Sequence, residues 1–406
     1  MRNNLKRPVI DEIKTFRNPE YPHILWVEVK SSNGIKGLGE TSFDTDAVEG
    51  LIHGEFSSYL LGKDPDHLDR HWEEMARKMR IIRGRGVDGS AVSAIDMALW
   101  DLYAKNIKQP LYQVLGGLSR EKIRVYNTCA GYSYGVKRKG RFTPGSIDHH
   151  PESIYEDQHA FMENAGALAE DLLSEGFTAM KIWPFDKYSS ESNGQFISQF
   201  DLDEGTEPFI KIRETVGNKI DVMVEMHSLW NLPSAVRIAK SVEPTLPFWF
   251  EDPVKMDNID TLAEFRHSTH IATTASETSA LRWSFREMFE KQAMTICMLD
   301  ISWVGGISEA KRIASMADAY QMPIAPHDCV GPVTLMFSVH LSLNAPNALI
   351  QETVRAYNAT WYKDIVDTLP EIVNGFAYPP KGFGCGTNLL DKFILDEATS
   401  TKVSSL

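Results

Sequence analysis

Ionisable side chains stand at or just after seven short apolar segments between residues 179 and 352. They are Lys181, Glu225 with His227, Glu251, Glu277, Asp300, His327 and Glu352. Taken singly, such a residue has an ordinary explanation, because a carboxylate after a strand commonly favours the dipole of the following helix. Seven in succession are not explained in this way, since independent accidents would not recur at the same relative place. The series therefore predicts one shared site.

Three of these residues, Glu225, Glu251 and Glu277, lie at equal intervals of 26 residues. Carboxylates that meet at one place repel each other strongly unless a cation neutralises them. Oxygen ligands without a cysteine suit a hard ion, which favours Mg²⁺, with Mn²⁺ as a possible substitute. His227 as a fourth ligand would indicate Zn²⁺ or Fe²⁺ instead, but the three carboxylates already suffice for Mg²⁺.

Asp300 and His327 end neighbouring segments, so their side chains can meet. A carboxylate beside an imidazole fixes its tautomer and raises its basicity, which predicts His327 as a general base. No serine or cysteine stands at a strand end in an elbow motif, so nucleophilic hydrolysis is not indicated.

The elements that must position these groups alternate between short strands and amphipathic helices. Eight strands are predicted, at residues 122–127, 179–183, 221–225, 248–251, 271–275, 295–299, 323–325 and 348–351. Repeated strand–helix units imply a parallel sheet with right-handed crossovers. Eight strands suggest a closed barrel, whose strand ends converge on one mouth, although an open doubly wound sheet gives similar local patterns. No glycine-rich nucleotide-binding motif opens any unit.

The two ends of the chain have a different pattern. Residues 24–30 and 35–40 predict a β-hairpin, and the apolar stripe of residues 90–105 predicts a helix with Ser90 as its cap. The tail from Tyr357 is expected to return to the N-terminal part. Two long excursions, residues 131–151 and 186–201, are of the kind that is commonly functional or mobile.

Composition bounds the possible partners. The 406 residues carry a formal net charge of −13, which argues against nucleic acid as the main partner. The basic run Lys137, Arg138, Lys139 and Arg141 is interpreted as a solvated loop. Four scattered cysteines, no apolar leader and no apolar stretch of membrane-spanning length predict a soluble cytoplasmic protein.

The motifs in order resemble the mandelate racemase subgroup of the enolase superfamily. They are SAVSAIDMALWDLYAKNIKQPLYQVLGG, GFTAMKIW, VMVEMH, FWFEDPV, ASET, LDISWVGGISEAKRIA, APHD and LIQE. The resemblance implies a modified (β/α)7β barrel with an α+β capping domain built from both chain ends. The expected borders are 1–121 for the cap, 122–356 for the barrel and 357–406 for the returning tail. A symmetric homo-oligomer built from dimers is also implied.

The resemblance further implies a role for each residue at the mouth. Glu225, Glu251 and Glu277 would bind the Mg²⁺ that holds a substrate carboxylate, and the Asp300–His327 pair would remove the α-proton. Lys181 would stabilise the resulting enediolate, together with Glu352 as a hydrogen-bonding electrophile.

The chain departs from the family pattern at Trp183. Many relatives have Lys-x-Lys on this strand, whereas here Lys181-Ile182-Trp183 puts an indole, which only donates, where a second base would stand. Racemisation is therefore disfavoured. Glu225-Met226-His227 resembles the Asp-x-His of the acid-sugar dehydratases, with a carboxylate arm longer by one methylene. This predicts a Mg²⁺-dependent dehydration of a small-molecule sugar acid to a 2-keto-3-deoxy acid, with His227 as general acid.

Three alternatives to this hypothesis stay open. One is a cycloisomerase or epimerase acting on a sugar acid or its lactone, and another is a non-catalytic barrel that kept its metal site. A plain metal-assisted hydrolase is weaker, since no second ligand cluster is visible. Specificity is assigned to Trp183, Trp303 and the capping loops. Arg83 and Arg85 would bind a carboxylate or hydroxyls, or would simply be exposed loop residues.

Overall fold

Two β-sheets organise the protein. The computed structural model describes residues 7–82, 86–137, 144–146 and 153–406. In chain order its strands are β1 Ile10–Arg17, β2 Ile24–Ser31, β3 Lys36–Ser42, β4 Ile123–Thr128, β5 Ala179–Ile182, β6 Asp221–Glu225, β7 Trp249–Glu251, β8 Ala272–Ala275, β9 Ile296–Cys297, β10 Gln351–Thr353, β11 Ile372–Val373, β12 Phe376–Ala377 and β13 Ser400–Ser405.

Helices cover both sheets. They are α1 Thr45–Leu51, α2 Ser57–Leu60, α3 Leu68–Ile82, α4 Val87–Asn106, α5 Leu111–Val114, α6 Asp157–Glu163, α7 Ala165–Ser174, α8 Ser189–Ser192, α9 Gln199–Val216, α10 Leu232–Val242, α11 Ile259–Ser268, α12 Leu281–Glu290, α13 Gly306–Ala319, α14 Pro332–Asn344, α15 Arg355–Ala359, α16 Tyr362–Ile365 and α17 Asp391–Ile394. Within the described ranges, no helix combines the length and apolar character that a bilayer crossing needs.

The smaller sheet is antiparallel, with the order β13-β1-β2-β3, so both ends of the chain contribute to it. Helix α4 packs directly on β3, where a Cβ at Gly37 or Gly39 would lie 2.0 Å from a carbonyl oxygen of the helix. The predicted hairpin and helix are confirmed, but Ser90 is not the cap. The helix begins at Val87, one turn earlier, and Ser90 is buried inside it between the sheet and its neighbours.

The larger sheet forms the predicted barrel. Strands β4 to β9 pair in parallel in sequence order, and β10 pairs with β4 to close the ring. The seventh strand is reduced to Ile324, which bridges Cys297 on one side and Ala348 on the other. Pro323 and Pro326 flank it, and proline, lacking an N–H, limits the ladder there. The closed barrel is thus confirmed over the open sheet.

The C-terminal tail contacts both sheets. Its last strand, β13, pairs with β1, whereas its hairpin β11–β12 adds to the barrel sheet through β12 and β4. The tail therefore ties the base of the barrel to the cap. The domain borders 1–121, 122–356 and 357–406 stay a prediction.

Buried carboxylates join the cap to the barrel helices. Glu40 of β3 accepts hydrogen bonds at Oε1 from the Thr334 backbone N–H (2.9 Å) and hydroxyl (2.8 Å), and at Oε2 from Trp26 Nε1 (2.8 Å). Asp96 of α4 likewise accepts from the Ser308 N–H at 2.9 Å. Thr334 and Ser308 lie in the first turns of α14 and α13, where backbone donors lack partners and negative charge is favoured.

We expect Glu40→Ala to lower the free energy of unfolding by at least about 2 kcal/mol, because it strands three buried donors. Urea unfolding followed by tryptophan fluorescence measures this change. Glu40→Gln, which keeps one acceptor oxygen, should lose less. An alanine variant as stable as the parent chain would contradict the assignment of Glu40 as a connector between cap and barrel.

The same variants test a pH dependence. Burial raises the pKa of Glu40 to about 7, against the opposing effect of its hydrogen bonds. Since the folded chain then holds a proton that the unfolded chain releases near pH 4.5, the free energy of unfolding should fall as the pH rises from about 4.5 to about 7. This fall should be smaller in Glu40→Gln.

Candidate active site

A cavity of about 310 Å³ opens at the carboxyl ends of the barrel strands. It is lined by Phe43, Thr128, Tyr134, Gly135, Lys181, Trp183, His227, Glu277, Trp303, His327, Cys329 and Glu352. Seven of these twelve residues were predicted from the sequence. The structure therefore brings strand-end residues from across the barrel together around one space, as the convergence of parallel strands requires.

The period of two along each strand explains which side chains reach the cavity. Ala179, Met223 and Trp249 belong to a cluster of buried residues contributed by the barrel strands. Two residues further along the same strands stand Lys181, Glu225 and Glu251, on the same face but nearer the mouth. The charged side chains of these strands therefore lie directly above the apolar side chains that fill the barrel interior.

Glu225, Glu251 and Glu277 form one cluster, since each offers a carboxylate oxygen and these oxygens lie within 4.8 Å of one another. Burial and the neighbouring Glu225 raise the pKa of Glu251 well above its ordinary value. Glu225 Oε2 is buried, and its close charged neighbour is Lys181 Nζ at 3.2 Å. An all-oxygen set that resists full ionisation fits a hard divalent cation.

Lys181 is the cation that the chain itself supplies. Its side chain is 3% exposed, and its Nζ lies 2.5 Å from Glu251 Oε1, 2.9 Å from Glu352 Oε1 and 3.2 Å from Glu225 Oε2. Burial alone would lower the pKa of Lys181, but the carboxylates outweigh it and the pKa is raised. The lysine therefore stays charged beside the three-carboxylate cluster.

His327 and Asp300 form the predicted pair. His327 Nδ1 lies 2.7 Å from Asp300 Oδ2, and Asp300 Oδ1 accepts from the Ser302 N–H at 2.7 Å. The other ring nitrogen, Nε2, faces the cavity 2.9 Å from Glu277 Oε2. Burial would lower the pKa of His327, but Glu277 and Glu352 raise it well above the ordinary value. Trp303 stacks on the ring at 5.4 Å between centroids.

Glu352 lines the same cavity, and both of its carboxylate oxygens accept hydrogen bonds. Its Oε1 accepts from the Thr128 hydroxyl and contacts Lys181, and its Oε2 accepts from the Asp328 N–H at 2.8 Å. Burial would raise the pKa of Glu352, but Lys181 and His327 outweigh it and lower the pKa. Its role as a hydrogen-bond donor, which needs a proton, stays a prediction.

His227 lines the cavity from a loop that follows a barrel strand, and not from the strand itself. Strand β6 ends at Glu225, and His227 lies beyond it in the left-handed backbone region with φ of 47°. Its N–H donates to Glu225 Oε1 at 2.7 Å, which holds the turn. The side chain thus enters the cavity from a loop.

A carboxylate that sequence reasoning missed orients His227. Asp186 Oδ2 lies 2.7 Å from Nδ1, and the Tyr134 hydroxyl lies 3.1 Å from Nε2. Burial would lower the pKa of His227, but Asp186 and Glu225 raise it to about 9. Asp186 follows the second barrel strand by four residues, and that placement after a strand end was the available signal. Nothing in the sequence singled out Tyr134.

Only some of the residues predicted to contact the substrate lie in the described part of the structure. Trp183 and Trp303 line the cavity, joined by Phe43 from the capping part. Arg83 and Arg85 lie outside the described residues, as do Arg138, Lys139 and Arg141 of the basic run.

Lys137, the first residue of that run, differs from the expected solvated loop. Its side chain is 8% exposed, pairs with Glu20 at 2.8 Å and lies over the rings of Tyr21 and Tyr132 at 4.6 and 4.5 Å. Apolar rings and one carboxylate, rather than water, surround this ammonium.

Comparison with known proteins shows the family to which the chain belongs. Residues 3–116 match the N-terminal domain of the mandelate racemase / muconate lactonizing enzyme family, and residues 164–393 match the enolase C-terminal domain-like family. The chain is 27% identical over 399 residues to D-galactonate dehydratase of Ralstonia pickettii, covering 96% of this chain and 94% of that protein. The same enzyme of Pectobacterium atrosepticum is 28% identical over 396 residues, with the same coverage.

Solved structures extend the likeness. An enolase of the mandelate racemase subgroup from Agrobacterium tumefaciens is 42% identical, with a TM-score of 0.86 over 98% of this chain and 99% of that one. An enolase protein from Sargasso Sea environmental sequencing is 37% identical, with a TM-score of 0.87 over the same shares. The chain belongs to the mandelate racemase and muconate lactonizing enzyme family of the enolase superfamily, and it is an enzyme of the lyase class.

Proposed function

We propose that this enzyme is a Mg²⁺-dependent acid-sugar dehydratase, which removes the proton next to a carboxylate and expels the β-hydroxyl as water. One observation carries the proposal. Two histidines, each paired with its own carboxylate, open on one cavity beside a cluster of three glutamates. Elimination needs one group that takes a proton and another that gives one, and the two histidines supply them. The similarity to D-galactonate dehydratases supports the same reaction class.

Glu225, Glu251 and Glu277 would hold the Mg²⁺, for which Mn²⁺ could substitute. When bound, Mg²⁺ would supply Lewis-acid stabilisation of negative charge on a substrate oxygen beside these three carboxylates. All other steps belong to side chains of this protein.

His327 is the proposed base. Asp300 holds Nδ1, so that Nε2 is the nitrogen directed at the cavity and at the C2 proton. The positive charge of Lys181 would stabilise the substrate carboxylate oxygen that becomes more negative as the C2 proton leaves. Stacking on Trp303 limits the rotation of the imidazole.

His227 is the proposed acid. Its contact with Asp186 favours the protonated ring, which can supply a proton to the departing 3-hydroxyl. Trp183 packs edge-on to His227 at 5.7 Å and offers no base. A two-base racemase needs a second base at the position of Trp183, and an indole cannot serve as one. This favours elimination over racemisation. The enol formed would ketonise to a 2-keto-3-deoxy acid.

The direct test is a screen of Mg²⁺-loaded protein against acid sugars, beginning with six-carbon aldonates, with semicarbazide detection of 2-keto-3-deoxy products. We expect at least one substrate, and we expect His327→Asn to abolish both its dehydration and its C2 deuterium exchange in D₂O. His67→Asn, at an exposed position of the capping part, is the matched control. Exchange without any keto product in the parent enzyme would instead support epimerisation or cycloisomerisation.

The metal assignment predicts that Glu277→Gln lowers the Mg²⁺ affinity at least about tenfold, because one of three charged ligands is lost. Calorimetric titration of the protein with Mg²⁺ measures this independently of activity. Glu264→Gln, on the exposed face of α11, should titrate like the parent. Equal affinity in Glu277→Gln would remove that residue from the ligand set.

The division of labour between the histidines predicts that His227→Asn separates the two steps. Because His327 and the cluster remain, C2 deuterium exchange should continue while product formation falls by about 100-fold or more. Proton NMR of the recovered substrate and semicarbazide assay of the product measure the two rates. Loss of exchange in step with loss of product would argue that His227 serves the site only structurally.

A further inference from the structure

We propose that Tyr134 is a further catalytic residue, whose hydroxyl contacts the leaving oxygen and passes it the proton that His227 replaces. This inference rests on the dehydration proposed above. It adds a third member to the Asp186–His227 pair and assigns the contact with the leaving group to the phenol.

Tyr134 and Asp186 are hydrogen-bond partners of the His227 ring. Nδ1 is engaged by Asp186 at 2.7 Å, and Nε2 lies 3.1 Å from the Tyr134 hydroxyl. Both ring nitrogens therefore already have a protein partner. The outer end of the chain Asp186–His227–Tyr134 is the phenolic oxygen, and Tyr134 lines the same cavity as His327 and Glu277.

A phenol suits this position chemically. Its hydroxyl is donor and acceptor at once, so it can give its proton to one oxygen while it accepts another from an imidazole. The aromatic ring is held against Trp183, with centroids 5.0 Å apart and planes inclined by 40°.

The loop that carries Tyr134 is fixed beyond what a surface turn needs. The Tyr134 carbonyl accepts from the Tyr357 hydroxyl at 2.6 Å. Three residues later, Lys137 packs against aromatic rings and pairs with Glu20 of the cap. Contacts at Tyr134 and after it thus hold this loop, as expected where a hydroxyl must be placed within a few tenths of an ångström.

The proposed step balances. The C3–O bond breaks and its electron pair stays on oxygen, which takes the Tyr134 proton to become water. The phenolate takes the Nε2 proton of His227, while the C2 proton rests on His327. When that proton is returned through solvent to His227, the net change is loss of one water from the substrate.

The test compares Tyr134→Phe with Tyr320→Phe, a matched change at an exposed tyrosine that follows α13. For Tyr134→Phe we expect kcat for product to fall by about 100-fold or more, with a smaller change in KM. C2 deuterium exchange into recovered substrate should continue. The double variant with His227→Asn should be no slower than His227→Asn alone, because the two groups act in series. Tyr320→Phe should behave as the parent.

Several results would overturn the proposal. Unchanged product formation in Tyr134→Phe would do so, and so would a parallel loss of exchange and product, which marks a structural role. Additive losses in the double variant would also exclude the relay. Failure of the parent enzyme to dehydrate any acid sugar would overturn the proposed function and this step together, whereas parent dehydration with an unimpaired Tyr134→Phe overturns this step alone. Calorimetric Mg²⁺ affinity reports that each variant is folded at the site.

Discussion

The whole arrangement depends on negative charge that is buried around a single ammonium group. Glu225, Glu251 and Glu352 all contact Lys181, and Glu277 lies beside them. One lysine cannot balance four glutamates in a medium that weakens hydration of charge. This imbalance supports the proposed divalent cation, which would add positive charge where an enediolate is proposed to form.

The two histidine–carboxylate pairs share one contact and differ in the other. Asp300 and Asp186 each hold Nδ1 of their histidine at 2.7 Å, so the pairs alone are alike. The difference lies at Nε2, which faces Glu277 of the metal cluster in His327 and the Tyr134 phenol in His227. A cation on the cluster would relieve His327 of the charge of Glu277, but it leaves the Asp186–His227 contact in place. In the proposed mechanism, this difference would separate the base, His327, from the acid, His227.

The cap is hydrogen-bonded to the barrel segment that carries Asp300 and Trp303. Thr41 of β3 donates to the Ser302 carbonyl at 2.8 Å, and Trp303 Nε1 donates to Ser42 Oγ at 3.0 Å. The segment that carries Asp300 and the stacking Trp303 is therefore tied to the small sheet. Glu40 and Asp96 tie the same part of the cap to the starts of α14 and α13. The proposed base, His327, is thus positioned by both parts of the fold, so stability of the cap–barrel contact and activity should be linked.

Local patterns determined much of this protein. Strand–helix alternation with ionisable residues at strand ends predicts the barrel, the three-glutamate cluster and the Asp300–His327 pair, because a period of two and parallel strands bring such positions together. Tertiary structure alone decided the rest. Asp186 and Tyr134 reach His227 from loops 41 residues before it and 93 residues before it, and no local period relates them. Lys137 contacts the ring of Tyr21 and the carboxylate of Glu20 from a distant part of the chain, and a charge run in sequence carries no information about such neighbours.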